Sequence, residues 1–379
     1  MRSSKSGKFL LKLDRLHSHS IPPAHGSLCT VRFLATPINP ADINMIQGTY
    51  GSKPKMSNDL GTAQPAAVPG NEGVAEVVSV GNAAIASGGE KLEKGDWVIM
   101  KSPGFGTWRT HAQGPASAFV KVRDEDRHGG ITAVQAGTVS VNPCTAWSML
   151  KGYAGATQSE DLNDISIAQT RAPKAGEWFI QNGANSGVGR AAIQLAKAWG
   201  IHSINIIRSR PDELATQQLK DELKALGADA VLTEEEAAEK SFKHQVKELT
   251  GGKRLPLALN CVGGRSALNL AKVLDQSGYH VSYGAMAKQP NTVPAGMLIF
   301  SDLRFTGFWV SRWSDAAPQM KRQAVAEVLS LTRDGKFADM PVSEVKWSST
   351  TKEDTLKEAA QGTLEGFRAG KSIFVYDHA

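Results

Sequence analysis

Residues Glu177–Arg190, EWFIQNGANSGVGR, decide the fold of the second half of this chain. A short apolar run ending at Ile180 predicts a strand, and apolar residues that recur at helical spacing predict a helix over 188–199. The residues between them are small and rich in glycine, which lets the backbone approach a pyrophosphate at the N-terminus of the helix. The stretch therefore predicts the start of a dinucleotide-binding site. Ala184 and Ser186 stand at the first two glycine positions of the G-x-G-x-x-G pattern, so an ordinary strand, turn and helix is the alternative.

A pair of arginines follows the next predicted strand, Ile204–Ile207. Proteins that bind NADH usually place an acid here, where it accepts a hydrogen bond from the 2′-hydroxyl of the ribose. This chain has Arg208 and Arg210 instead, and two guanidinium groups can pair with a 2′-phosphate. The pair predicts NADPH as the cofactor, although each arginine taken alone could be a solvated surface charge.

The composition is that of a globular protein. The 379 residues are 41% hydrophobic and 21% charged, and they are enough for two domains with separate cores. No apolar run approaches the ~20 residues of a membrane span. The net charge of +6 favours anionic partners such as nucleotides, CoA or an acidic carrier protein. Lysines are spread along the chain and do not cluster with aromatic residues, so no nucleic-acid partner is predicted.

The three cysteines, Cys29, Cys144 and Cys261, lie far apart and form no C-x-x-C pair. They predict buried thiols in a reducing compartment, without disulfide bonds. The N-terminal residues are rich in Ser, Lys and Arg and contain no acid before Asp14, which is typical of an organellar targeting segment. The alternative is that Phe9–Leu13 form the first strand of the fold.

The pattern along the chain predicts two domains. Helices and strands alternate from 144 to 310, which predicts a doubly wound nucleotide-binding domain with a parallel sheet. Residues 311–379 hold two predicted helices and a final strand, and we expect them to return to a β-rich domain over 1–143. The overall class is α/β. The strands predicted in the first domain, separated by Gly and Pro, are Cys29–Leu34, Val74–Val80, Asp96–Lys101 and Ala118–Val122.

Three stretches carry more local predictions. Residues 155–176 are mostly polar and predict a surface loop. A single helix is expected over 235–250. Met297–Val310 is largely apolar and predicts an exposed edge strand, which proteins usually cover.

A family resemblance rests on motifs spread over nearly the whole chain. They are NPADIN at 39–44, QGTYGSKP at 47–54, GNEGV at 70–74, NPCTA at 142–146, RSR at 208–210, YGAM at 283–286 and GFWV at 307–310. In this order they resemble the mitochondrial 2-enoyl thioester reductases of the fungal and animal type. These belong to the medium-chain dehydrogenase/reductase superfamily, whose first domain is GroES-like and whose second is a Rossmann domain.

The resemblance implies NADPH-dependent reduction of trans-2-enoyl-CoA or enoyl-acyl carrier protein, the last step of each cycle of mitochondrial fatty-acid synthesis. It also implies a homodimer in the mitochondrial matrix. Hydride reaches C3 of the conjugated thioester, so negative charge develops on the thioester oxygen and C2 must gain a proton. Tyr50 matches the family's catalytic tyrosine, whose hydroxyl can donate a hydrogen bond or a proton. Without the resemblance, Tyr50 is interpreted as a turn residue beside Gly48 and Gly51.

The resemblance also implies a set of cofactor-binding residues. Beyond Arg208 and Arg210 they are Asn142; Asn185, Ser186, Gly187 and Val188 at the pyrophosphate; Ser209; Tyr283, Gly284, Ala285, Met286, Phe308, Trp309 and Val310 on the nicotinamide side; and Lys371. The family usually has an acid at position 209, and its absence favours a 2′-phosphate. The apolar members suit a pocket that excludes water and accepts an acyl chain, although such residues are more often plain core.

Competing functions remain open at this point. A zinc alcohol dehydrogenase of the same superfamily needs a Cys/His/Cys ligand set, but this chain has Gly70-Asn71-Glu72 where those enzymes carry G-H-E, so no metal is expected. A zinc-free quinone reductase shares the fold and cofactor, and Tyr50 and the FWV segment at 308–310 argue against it. The third competing function is that of a non-catalytic NADPH-binding protein that acts as a regulator or RNA binder. The acyl-chain length, the choice of CoA or carrier protein, and whether Tyr50 itself donates the proton stay undecided.

Overall fold

The computed structural model describes residues 20–158, 165–364 and 370–378. The two N-terminal alternatives, a targeting segment or a strand at Phe9–Leu13, lie outside the described residues. The first elements are β1 (Leu28–Pro37), α1 (Pro40–Ile46), β2 (Val74–Val80), β3 (Trp97–Met100), β4 (His111–Pro115), β5 (Phe119–Lys121), α2 (Asp124–His128), α3 (Ala133–Thr138) and α4 (Asn142–Leu150).

The middle of the chain alternates between strands and helices. Its elements are β6 (Tyr153–Gln158), β7 (Ile165–Gln169), β8 (Trp178–Asn182), α5 (Gly187–Ala198), β9 (His202–Ile207), α6 (Glu213–Leu226), β10 (Ala230–Thr233), α7 (Glu234–Ala238), α8 (Phe242–Thr250), β11 (Leu257–Asn260), α9 (Gly264–Ala271) and β12 (Tyr279–Ser282). The last elements are α10 (Ala295–Ile299), β13 (Arg304–Gly307), α11 (Val310–Ala316), α12 (Pro318–Arg333), β14 (Val342–Trp347), α13 (Glu353–Gln361) and β15 (Lys371–Tyr376).

The chain divides into two compact units. The first comprises residues up to Ser140 together with those from Met340 onwards, and the second spans Val141–Asp339. Residues 311–339, which the sequence analysis places with the first domain, therefore belong to the second unit. The described residues do not support the predicted boundary at 310.

One half-buried carboxylate, that of Glu327, explains why α12 belongs to the second unit. Glu327 accepts a hydrogen bond from the indole N–H of Trp147 (2.7 Å) and another from that of Trp199 (2.8 Å). These two tryptophans lie in α4 and at the end of α5. The apolar face of α12, which includes Val328 and Leu329, is buried as well. Contacts that join positions so distant in sequence cannot be read from the helical pattern of α12 alone.

A seven-stranded sheet forms the first unit. Its order is β14-β15-β1-β2-β3-β5, and β4 also pairs with β1. The buried aromatic side chains of Phe33, Phe119 and Phe374 fill its core. β15 runs antiparallel to β1, which brings the end of the chain into this unit.

The second unit is built on six parallel strands. Their order is β10-β9-β8-β11-β12-β13. All five residues of β8 are buried, as expected for a strand covered on both faces. The order reverses at β8, and ligands of such sheets bind at this point, outside the carboxyl ends of the strands. The predicted doubly wound α/β fold is confirmed.

Three local predictions differ from the structure. Part of 155–176, predicted as a loop, forms the antiparallel pair β6 and β7, because its sequence contains several residues of high strand propensity. The helix expected over 235–250 is split into α7 and α8, because Glu239 between them has an extended backbone. Met297–Val310 forms the edge strand β13 only over its middle part, because a left-handed turn at Asp302 separates β13 from α10. None of the described helices has both the length and the apolar composition that a membrane crossing needs.

Candidate functional site

The turn between β8 and α5 needs glycine at two positions. Gly183 has a φ of +58°, and a Cβ atom there would lie 2.4 Å from the sulfur of Cys261. A Cβ atom on Gly189 would lie 2.4 Å from the carbonyl oxygen of Ala184. Ser186 replaces the usual second glycine and caps α5, since its Oγ accepts a hydrogen bond from the Gly189 N–H (3.1 Å). The turn therefore keeps the close backbone path and the helix N-terminus that a pyrophosphate requires.

A buried polar network fixes the carboxyl ends of the central strands beneath this turn. The Asn182 side-chain nitrogen donates to Asn260 Oδ1 (2.9 Å) and to the hydroxyl of Ser266 (2.8 Å). Asn260 in turn donates to the hydroxyl of Ser282 (3.0 Å), which ends β12. These residues were not predicted from the sequence. Their signal is an Asn that closes each of two buried apolar strands, WFIQN and LALN.

The arginine pair lies in a cluster of positive charge after β9. Partial burial is the main cause that lowers the pKa of Arg210, and the nearby charges of Arg208 and Arg190 lower it further. Arg190 is also held by Glu222, which accepts a hydrogen bond of 2.8 Å from its guanidinium group. The hydroxyl of Ser209 donates to the carboxylate of Glu235 (2.6 Å). A phosphate bound here would relieve the repulsion between the guanidinium groups, so the cluster fits the 2′-phosphate of NADPH.

Two segments predicted on the nicotinamide side follow neighbouring strands. Tyr283–Met286 follows β12 and Phe308–Val310 follows β13, and these strands pair in parallel register. The Tyr283 hydroxyl is buried beside Cys261 and Ser186, and burial raises the pKa of Tyr283 well above its usual value.

The segments are tied to the strands next to them. The backbone N–H of Met286 donates to the Cys261 carbonyl (2.9 Å), and that of Phe308 donates to the Ser282 carbonyl (2.9 Å). A Cβ atom on Gly284 would lie 3.1 Å from the same Cys261 carbonyl oxygen, so this position favours glycine. Asn142 begins α4, and its contact with the cofactor stays a prediction.

All three cysteines are buried, as predicted, and none of them is in a disulfide bond. Burial raises the pKa of Cys29 and of Cys261 to about 11. Both therefore remain protonated near neutral pH, and neither is activated as a nucleophile.

Tyr50 lies in a turn that follows α1 and is hydrogen-bonded to its last turn. The carbonyl oxygen of Asn44 accepts hydrogen bonds from the backbone N–H groups of Thr49 (2.9 Å) and Tyr50 (3.2 Å) and from the Thr49 hydroxyl (3.2 Å). Gly48, with a φ of +71°, makes the reversal possible. The Tyr50 side chain is half-buried.

A cluster of polar and charged side chains, most of them buried, lies around the start of α1. We call it the Asp42 cluster. It consists of Asn39, Asp42, Asn71, Glu72 and Lys371. Burial is the main cause that raises the pKa of Asp42 to about 7 and also lowers the pKa of Lys371.

Lys371, which the resemblance implies as a cofactor ligand, belongs to this cluster in the structure. Its ammonium group donates to Asn39 Oδ1 and lies 3.9 Å from Glu72 Oε2. Its role at the nucleotide stays a prediction.

The residues at the position of a catalytic zinc do not fit a metal. The Asn71 side-chain nitrogen donates to Asp42 Oδ1 (2.6 Å), and an amide nitrogen that donates in this way has no lone pair for zinc. Within residues 20–158, 165–364 and 370–378, no three His, Cys, Asp or Glu side chains are grouped so that they could hold a metal ion.

Comparisons with known proteins agree with this geometry. Residues 26–143 match the model of the alcohol dehydrogenase GroES-like domain, and residues 187–329 match that of the zinc-binding dehydrogenases. A mitochondrial enoyl-[acyl-carrier-protein] reductase of Schizosaccharomyces pombe is 38% identical over 96% of this chain and 90% of its own length. The human protein of the same name is 40% identical over 96% of this chain and 84% of its own length. That of Yarrowia lipolytica is 44% identical over 83% and 74%.

Solved structures give the same result. The complex of Etr1p with NADP and crotonyl-CoA superimposes with a TM-score of 0.82 at 35% identity, over 95% of this chain and 94% of that one. A putative NADPH:quinone reductase of Bacillus thuringiensis, with a TM-score of 0.69 at 22% identity over 94% and 92%, shares the fold alone. The chain belongs to the family of mitochondrial enoyl-[acyl-carrier-protein] reductases.

Proposed function

We propose that this chain reduces trans-2-enoyl thioesters of CoA or acyl carrier protein to saturated acyl thioesters, with NADPH, in mitochondrial fatty-acid synthesis. The observation that carries the proposal is the likeness, over 95% of the chain, to a protein solved with NADP and crotonyl-CoA. The arginine cluster after β9 supports the choice of NADPH. The names of the relatives support the mitochondrial location.

Tyr50 is the catalytic residue of this proposal. NADPH, when bound, supplies the hydride that C3 of the enoyl thioester receives. The Tyr50 hydroxyl then donates a hydrogen bond to the developing enolate or a proton to C2. The hydrogen bonds to the Asn44 carbonyl fix the backbone of Tyr50, which limits the positions that its hydroxyl can reach.

The cofactor residues all belong to the second unit in this proposal, with the exception of Lys371. The turn at 183–188 holds the pyrophosphate, and Arg208 and Arg210 hold the 2′-phosphate. Residues 283–286 and 308–310 enclose the nicotinamide and exclude water from the reaction.

The experiment that tests this function compares two acceptors. Oxidation of NADPH is followed by absorbance with crotonyl-CoA and, separately, with a quinone. We expect rapid turnover of crotonyl-CoA and little with the quinone. The opposite order would establish the quinone reductase, and no turnover of either would favour a non-catalytic NADPH-binding protein.

We also propose that the chain forms a homodimer through the edge of the second sheet. β13 is the last strand of that sheet, and α10 beside it carries the exposed side chains of Leu298 and Ile299, followed by Phe300. An edge strand next to exposed apolar residues is typical of a surface that another chain covers. A solved Etr1p/Etr2p heterodimer from Candida tropicalis shows that related chains associate.

A further inference from the structure

We propose that Asp42 is a positioning residue for Tyr50, which it holds in place through helix α1. The inference rests on the proposed catalytic role of Tyr50. It assigns a task to a buried carboxylate that the reaction itself does not use.

Both oxygens of the Asp42 carboxylate are engaged. Oδ2 accepts a hydrogen bond from the backbone N–H of Asn39 (2.6 Å), and Oδ1 accepts one from the side chain of Asn71 (2.6 Å). The same Asn71 nitrogen lies 3.1 Å from the sulfur of Met45, on the next turn of α1. Only 1% of Asp42 is exposed. The carboxylate therefore joins the start of α1 to the segment that carries Asn71.

Helix α1 depends on such ties. It has only seven residues, whereas isolated helices shorter than about 12–15 residues are marginal in water. Its position must come from side chains that anchor it. Asp42 stands two residues before Asn44, whose carbonyl oxygen accepts the backbone hydrogen bonds of Thr49 and Tyr50. A shift of α1 would consequently move the backbone of Tyr50.

The rest of the Asp42 cluster holds this arrangement together. Asn39 donates to Glu72 Oε2 (2.9 Å) and accepts from Lys371, so it bridges a second carboxylate and the ammonium group. The Thr107 hydroxyl donates to the Glu72 carbonyl (2.8 Å), which anchors the segment on its other side. A buried network of this kind contributes little net stability compared with apolar packing, and its best-attested benefit is a defined geometry.

A double-mutant cycle tests the proposal on the full chain. We expect Asp42→Asn to lower kcat for crotonyl-CoA at least tenfold, because a displacement of about 1 Å can cost on the order of 100-fold. The KM for NADPH should stay within twofold. In a Tyr50→Phe background, Asp42→Asn should change the residual rate less than twofold, since the hydroxyl it positions is gone.

Asp96→Asn is the matched control. Asp96 is also a buried carboxylate of the first unit and pairs with Lys121 (3.0 Å), away from α1. We expect the kcat of the Asp96→Asn variant for crotonyl-CoA to stay near that of the wild type. Asn71→Ala serves as a second variant if Asp42→Asn does not fold, because it removes the hydrogen bond to Asp42 and the contact with Met45 but leaves the bond between Asp42 and the Asn39 backbone intact. Its kcat should fall in the same way.

The outcomes separate the two proposals. An equal loss on Asp42→Asn in both backgrounds, or a loss in Asp96→Asn as large as in Asp42→Asn, would show a general structural effect and overturn the positioning role. Failure of Tyr50→Phe itself to lower the rate would overturn the catalytic assignment and the positioning role together. The proposed enoyl thioester reductase function would not be affected by that result, because it is tested separately by the turnover of crotonyl-CoA by the wild type.

Discussion

The hydroxyl of Ser209 donates a hydrogen bond of 2.6 Å to the carboxylate of Glu235, which ties the segment between the two arginines to the first turn of α7. This bond is the main cause that lowers the pKa of Glu235, so the carboxylate is charged near neutrality. An acid at position 209, usual in the family, would be repelled by Glu235. Serine avoids this repulsion. It also adds no negative charge at position 209 that would offset the positive charge of the two arginines.

Replacement of both Arg208 and Arg210 by Ala should weaken the binding of NADPH at least tenfold and leave that of NADH nearly unchanged. Charge-assisted hydrogen bonds contribute roughly 1.5–3 kcal/mol each, and only NADPH has the 2′-phosphate that receives them. Titration of nucleotide fluorescence measures both affinities. Arg254→Ala, at an exposed ion pair with Asp275 in the same unit, is the control and should change neither. An unchanged affinity for NADPH in the double variant would show that the arginines are plain surface charges.

Purified protein should contain no stoichiometric zinc. Asn71 stands where zinc enzymes of the superfamily have a histidine, an amide is a poor zinc ligand, and the Asn71 nitrogen donates to Asp42 instead. Elemental analysis should find far less than one zinc per chain, and incubation with a chelator should leave the rate with crotonyl-CoA unchanged. One zinc per chain, with activity lost on its removal, would contradict the assignment.

The stability of the protein should depend on pH through Asp42. Burial raises its pKa to about 7 in the folded state, against about 4 in an unfolded chain, so the folded protein binds the proton more tightly. The resulting stabilisation is complete below about pH 4 and is lost as the pH rises through 7. Lys371 and Glu72 are the charged groups that face Asp42, and they act on its pKa in opposite directions.

Asp42→Asn isolates this contribution because the amide does not titrate. As the pH is raised from 5 to 8, the Tm of the wild type should fall relative to the Tm of the Asp42→Asn variant. Thermal denaturation followed by circular dichroism measures both. A difference in Tm that is constant over this range would mean that the pKa of Asp42 is not raised.

Much of the local geometry at the proposed cofactor site could be predicted from the sequence, because the turn after β8 and the end of β9 depend on residues close together in the chain. Gly183 and Gly189 are needed within one turn, and Arg208 and Arg210 follow one strand. The Asp42 cluster could not be predicted, because it joins residues as far apart as Asn39 and Lys371, 332 positions along the chain.

The position of α12 was predicted wrongly for the same reason. Its amphipathic pattern shows that one face is buried but not which unit covers it. The answer depends on Glu327, whose indole partners lie 180 and 128 positions away. Periodicity thus predicts an element, and only distant pairing assigns it to a unit.

Ile299→Asp combined with Phe300→Asp should convert a dimer into a monomer. These side chains are 70% and 80% exposed in the single chain, so the charges do not disturb its core but would be buried without partners in a dimer. Light scattering after gel filtration gives the mass. Leu214→Asp, at a side chain 69% exposed on α6, is the control and should leave the mass unchanged. A wild type that is already monomeric, or a double variant that remains dimeric, would exclude this surface.

Tyr50→Phe should keep the fold and the affinity for NADPH but lose most reduction of crotonyl-CoA. The substitution removes only a hydroxyl, and the backbone contacts of Tyr50 with Asn44 do not involve that group. A hydrogen-bond donor to an enolate, or a general acid, contributes about 10²–10³-fold, so the loss should appear in kcat and not in the KM for NADPH. Steady-state kinetics and a nucleotide titration distinguish the two effects. Turnover of crotonyl-CoA at the wild-type rate would make Tyr50 a turn residue and would overturn its catalytic role.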